Sequence, residues 1–228
     1  MEYTITQDAH GTHLDWSHEN VSSEMIDWFW SNMEKCFLLW HPEEHEPLQW
    51  AIPPKHGDLV GAVHIAPQTW SDGQRQNLYI RFEKLEDVPV EILQYVEYEH
   101  CIVVAGLGFG EESLNVTEPL GYRIHQWEMV TGELEMDESI ASKQITNQPV
   151  TIRGKSNAFG WKKPENHEQG MVWAKHAATE ISNWGVFLPQ LFELYKVVKN
   201  TNYNPFMDLS VARINGKWTY INQCHEKS

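Results

Sequence analysis

The chain is short of cysteine, short of positive charge and free of long apolar runs. Its three cysteines, Cys36, Cys101 and Cys224, are odd in number and widely spaced. That excludes a disulfide framework and fits reduced thiols in a cytoplasmic protein. No stretch is long enough to span a bilayer, and the opening MEYTITQDAHGTH lacks the basic region and apolar run of a signal peptide. Only 17 Lys and Arg stand against 32 Asp and Glu, for a net charge of −15, and no basic stripe occurs. Nucleic acid and anionic membrane are therefore excluded as expected partners. There is no GxSxG elbow, P-loop, GxGxxG or CxxC pair. The glycine run AGLGFG sits inside a strand-like segment, where it reads as a bulge or a close approach. With no repeat or linker, residues 1–228 read as one domain, large enough for a real core.

Aromatic residues are abundant instead, with 11 tryptophans. They suit a roomy interior or a pocket for an aromatic ligand, and serve equally as core filler. The segment VSSEMIDWFWSNMEK reads as a short helix capped by Ser22 or Ser23, with Glu24 near the positive end of its dipole. Residues 59–70 and 76–85 flank the turn sequence SDG as a hairpin. Residues 121–130 and 133–142 flank TG in the same way. The stretch PVTIRGKSNAFGWKKPENHEQG reads as a loop. A long helix is expected from about 169 to 199, bent or broken at Pro189. The tail VARINGKWTYIN reads as two strands around Asn215-Gly216, a pair favoured in type I′ turns. A lone hairpin is marginal in water, so it should dock on the domain or across a subunit contact such as a homodimer. Short helix, antiparallel strands and long helix in that order suggest an α+β domain with a curved sheet gripping one helix.

The long helix raises a chemical question. Helical spacing places Trp173, His176, Glu180, Trp184, Phe187, Leu191 and Tyr195 on one apolar stripe. His176 and Glu180, four residues apart, can share a metal, a sparser pattern than HExxH. The same spacing serves a buried ion pair, since a lone buried carboxylate costs roughly several kcal/mol. Further ligands must come from elsewhere. WHPEEH offers His41 and His45, of which one is expected at the surface. On strand 59–70, His64 and Gln68 share a face, and Gln68 can coordinate through its carbonyl oxygen. His125 shares a face with Trp127 and Met129, and is either a cavity-lining hydrogen-bond donor or a core histidine. His10, His13, His18, His56, His100, His167 and His225 read as solvated.

The motifs EMIDWFW, LWHPEEH and HAATEISNWGVFLPQLFELY, in that order, resemble the 2,4-diacetylphloroglucinol hydrolases and phloretin hydrolases, over about residues 22–195. The resemblance implies the helix-grip fold of the birch-pollen allergen and a zinc-dependent hydrolysis of a carbon–carbon bond between an acyl group and a phenolic ring. It implies metal ligands at His45, His176 and Glu180, with Gln68 standing where the family has a glutamate. It places the pocket histidine that contacts substrate at His125 and puts Phe37 where the family has a pocket tyrosine; Trp127, on the same strand face as His125, is a further substrate-binding candidate. A second family tyrosine has no clear counterpart near Ser139. The implied substrate is a small acylated aromatic or polyketide-like ketone. The alternative is a non-catalytic protein of the same fold that binds a small hydrophobic ligand. Residues 205–228 form an extra C-terminal hairpin beyond the resemblance.

Overall fold

The computed structural model describes residues 1–71, 73–130, 151–164, 166–198 and 205–221. Two strands at the N-terminus, β1 (Glu2–Gln7) and β2 (Gly11–Glu19), form a hairpin. Helix α1 (Ser23–Ser31) follows, capped by the Ser22 hydroxyl, which accepts from the Met25 amide at 3.3 Å. A single turn, α2 (Phe37–Trp40), leads through the 41–48 loop to β3 (Gln49–Ile52). Strands β4 (Val63–Thr69) and β5 (Arg75–Phe82) pair as an antiparallel hairpin. A short turn of helix, α3 (Val90–Leu93), precedes β6 (His100–Gly108), β7 (Gly121–Met129) and β8 (Thr151–Gly160). Helix α4 (His167–Val197) and the hairpin β9 (Val211–Ile214) and β10 (Lys217–Tyr220) complete the chain.

Strands β1 to β8 form one antiparallel sheet in the order β1-β2-β8-β7-β6-β5-β4-β3. The eight-stranded sheet and the 31-residue helix α4 make an α+β helix-grip architecture. Between them lies a core of Leu14, Trp16, Ile102 and Trp127 from the sheet and Ile181, Trp184, Leu188 and Phe192 from α4, all buried. Trp16 meets Trp184 edge to face at 5.7 Å, an arrangement favoured by the ring quadrupoles. Gly154 makes room for this pair, because a Cβ there would lie 2.0 Å from the Trp16 indole.

Three local expectations need correction. The segment read as a loop contains β8, which fills the middle of the sheet between β2 and β7. Its glycines and polar residues weaken strand propensity, and burial between neighbours overrides that. The partner of β7 is thus β8, while the strand expected at 133–142 lies outside the described residues. The N-terminal hairpin had no sequence reading. Helix α4 continues through Pro189. The one bond Pro189 cannot donate is to the carbonyl of Gly185, where the missing side chain also lets His18 pack closely.

The opposite face of the sheet has its own apolar cover, including Val63, Leu85, Ile92, Val103 and Ile124, and the terminal hairpin packs there through Val211, Trp218 and Tyr220. Backbone bonds from Cys101 to Leu209 (3.0 Å) and from Val211 to Glu99 (2.7 Å) fasten it. Asn215 and Gly216 both take positive φ, 53° and 80°, as their type I′ turn requires. In β6 the glycine run does mark an irregularity, since register against β5 shifts between Tyr79 and Ile80. Among the described residues no helix is long and apolar enough to cross a membrane.

Candidate metal centre

Three elements meet at one end of the helix–sheet interior. The 41–48 loop is stitched to the end of β4: the Glu46 amide donates to Pro67, the Thr69 amide donates to Glu44, each at 2.9 Å, and His45 bridges Gln68. Residues 41–45 form a helical turn, with the His45 amide bonded to the His41 carbonyl at 2.9 Å. That turn aims the His45 ring at α4, where His176 and Glu180 stand one turn apart.

The resulting triangle is nearly equilateral. His45 Nε2 lies 3.2 Å from His176 Nε2 and 3.2 Å from Glu180 Oε1, and His176 Nε2 lies 3.2 Å from the same oxygen. All three residues are buried. The outer nitrogens are already engaged. His45 Nδ1 is 2.9 Å from the Phe37 carbonyl oxygen, which can only accept, so Nδ1 carries a proton. His176 Nδ1 is 2.6 Å from Glu44 Oε2, a charge-assisted contact with the same consequence. In their neutral forms both rings therefore turn Nε2 lone pairs toward each other and toward a carboxylate. Three acceptors at this spacing repel unless a cation sits among them. Ligands on a tetrahedral zinc with bonds of about 2.0 Å stand roughly 3.3 Å apart, so the donor set fits a divalent ion in chemistry and in size.

Without a metal, a proton must do the same work. Burial by itself would lower His176, but Glu180 and Glu44 outweigh it and raise its pKa. Burial would raise Glu180, yet His176 and His45 hold its carboxyl far below the ordinary range. Both directions report a place that demands positive charge.

The centre opens into a cavity of about 1000 Å³. Trp30, Phe37 and Trp40 line it from the α1–α2 segment, His64, Ala66 and Gln68 from β4, His125 from β7, and Trp173 from α4. The Phe37 ring stacks on His45 at 3.9 Å and 4°, fixing the plane of that imidazole. His125 Nδ1 bonds the Ser156 hydroxyl at 3.0 Å, and burial lowers its pKa to about 4, so it is neutral at ordinary pH. His64 is 4% exposed, and burial lowers it to about 3.

The sequence-derived candidates thus fall into three groups. His45, His176 and Glu180 converge. Gln68, Phe37 and His125 line the same cavity. Trp127 is different: it is wholly buried in the core, stacked near His100 at 5.8 Å, and does not line the cavity. It shares a face with His125 but sits two residues further along β7, beyond the space the cavity occupies. Other histidines also differ from expectation. His41 is buried and stacks on His176 at 4.5 Å. His18 is buried against α4, and His100 is paired with the buried Asp27 at 3.1 Å. Glu44 was not singled out by the sequence at all. Its only signal was a carboxylate adjoining a candidate ligand.

No family model and no curated protein matches the chain. Solved structures similar in outline include protein Ms6760 from Mycobacterium smegmatis, with a TM-score of 0.47 and 14% identity, covering 82% of this chain and 97% of that one. The major latex-like protein 151 of Panax ginseng has a TM-score of 0.45 and 6% identity over 79% of this chain and 99% of its own. Ara h 8.0201 has a TM-score of 0.42 and 8% identity over 78% and 99%.

Proposed function

We propose that this chain is a metal-dependent hydrolase that cleaves the carbon–carbon bond between an acyl group and an aromatic ring in a small ketone. The observation that carries the reading is the buried triangle of acceptors on His45, His176 and Glu180, open to a large aromatic-lined cavity. The resemblance of its motifs to the diacetylphloroglucinol and phloretin hydrolases points the same way. A divalent ion held by those residues would supply Lewis acidity and a water of lowered pKa. Its preference for zinc follows from the nitrogen-rich donor set.

The chain's own groups have distinct tasks in this reading. Hydrolysis adds hydroxide to the acyl carbon. The bond to the ring breaks with its electron pair left on the ring carbon, which then takes a proton. The products are a carboxylic acid and the arene. His125 is neutral, oriented by Ser156, and borders the cavity. It is suited to hydrogen-bond the ketone oxygen as charge develops there. Trp30, Trp40 and Trp173 give the aromatic body of the ligand apolar surfaces. Gln68 leaves the centre with one carboxylate, Glu180, facing the two imidazoles.

A second reading has its own support. The cavity wall is largely apolar, Phe37 covers one face of His45, and Gln68 is uncharged, all of which suit a protein that holds a hydrophobic ligand without turnover. A panel of acylphenols and diketones, assayed with zinc-loaded protein before and after chelation, separates the two. Chelation-sensitive release of a carboxylic acid supports the hydrolase. Metal-independent binding with no product supports the carrier.

A further inference from the structure

The cavity is bordered by one histidine that the proposed reaction leaves without a task. His64 lies on β4 and borders the cavity, yet it is almost wholly buried. Its Nδ1 is sealed from solvent and has no hydrogen-bond partner. A sealed lone pair is less costly than a sealed N–H, which would lose its hydrogen bond altogether. The proton of this neutral ring therefore belongs on Nε2, the other nitrogen.

The setting is specific. The His64 ring lies 5.3 Å from Phe82, Phe82 lies 6.3 Å from Trp30, and Trp30 lies 5.1 Å from His125. These contacts link the two imidazoles through Phe82, which is buried behind the cavity, and Trp30, which borders it. Both imidazoles also feel the charge of Glu180. His64, Trp30 and His125 all border the cavity, so a planar ligand held there has two separate imidazoles to meet.

We infer that His64 is a specificity-determining residue, whose Nε2–H donates to an oxygen of the ligand other than the ketone oxygen served by the metal centre and His125. The ligand class is thus a planar aryl ketone with a further acceptor oxygen on its ring or side chain. This rests on the reading of the cavity as the ligand site, and its test reads binding instead of turnover.

The probes are acetophenone and the three monohydroxyacetophenones, titrated calorimetrically into zinc-loaded and metal-stripped protein. Wild type is expected to bind one hydroxylated isomer about tenfold more tightly than acetophenone, the yield of one good hydrogen bond of about 1.4 kcal/mol. His64→Leu should bring that ratio close to one with unchanged zinc content. His64→Gln, whose amide can donate from a similar position, should restore part of it. Nitrogen-15 spectra of the wild-type histidines serve even if His64→Leu fails to fold. The preferred isomer should shift the His64 Nε2 signal, and acetophenone should not. A wild type without preference, a preference that survives His64→Leu, or an unmoved His64 signal overturns the inference. Turnover that continues in His64→Leu with that preference intact would overturn the inference alone and leave the hydrolase standing.

Discussion

Glu44 Oε2 lies 2.6 Å from Nδ1 of His176, and this contact decides which nitrogen of His176 faces Glu180. Held by a carboxylate on one side, the ring presents Nε2 as a lone pair on the other. His45 is oriented the same way by the Phe37 carbonyl. The candidate metal centre is thus shaped as much by groups behind His45 and His176 as by those rings themselves.

Glu44→Gln should therefore weaken zinc binding by about 10–100-fold, the range for losing such an orienting partner, while the fold is retained. His176→Ala should abolish binding. Competition titration with a chromophoric chelator measures both. Equal affinity in wild type and Glu44→Gln would remove Glu44 from the account.

Gln68 tests the charge of the centre. It is buried, lines the cavity and has its backbone bridged to His45. Gln68→Glu would add a second negative side chain beside the ion, and should tighten zinc binding by roughly tenfold. Metal-stripped Gln68→Glu should be less stable than metal-stripped wild type, because the new charge is buried without a partner. Titration and urea unfolding report the two effects, and unchanged affinity would place Gln68 outside the ligand sphere.

The neutral cavity histidines predict a pH dependence of stability. His64 and His125 fall from 6.5 to about 3 and about 4 on folding. The unfolded chain therefore takes up their protons first as pH drops. Their contribution is complete above pH 6.5 and shrinks toward those lower values, by roughly 1 kcal/mol per pH unit for each group. In metal-stripped protein the stability difference between wild type and His64→Leu should change by that slope between pH 6.5 and 4.5. Subtracting the variant cancels the titrating groups that do not interact with His64. A difference that stays flat across this range would show that His64 is not held neutral.

The terminal hairpin should be structural. Met207, Leu209 and Val211 are buried, and the Met207 amide donates to the Ser31 hydroxyl at 2.9 Å. Truncation after Asn204 removes these anchors and uncovers the outer sheet face. Burial of side chains of this size contributes about 1.5–3 kcal/mol each, so the melting temperature should fall by roughly 10 °C or more. Calorimetry of the truncated chain checks this, and an unchanged melting temperature would mean that the hairpin rests on the domain without supporting it.

Much of this architecture was legible because its signals are local. The stripe on α4, the Ser22 cap, the SDG turn and Asn215-Gly216 each declare themselves within a few residues. Helical spacing alone paired His176 with Glu180. What stayed hidden depends on distant partners. β8 carries glycine and polar residues that make sense only with Trp16 packed on Gly154 and strands on both sides. Glu44 acquires a role only when the loop is stitched to β4 and meets α4. Trp127 and His125 share a strand face, yet strand alternation says nothing about where along that face a cavity ends. His41 looked as polar as its neighbours, and only the approach of His176 buries it.

Zinc titration of protein purified without a histidine tag tests the central claim most directly. The account predicts one ion per chain, bound tightly by wild type and lost in both His45→Ala and Glu180→Ala, with cobalt in its place giving the intense visible absorption of a tetrahedral site. Wild-type protein that takes up no ion, or variants that bind it as tightly as wild type, would contradict it.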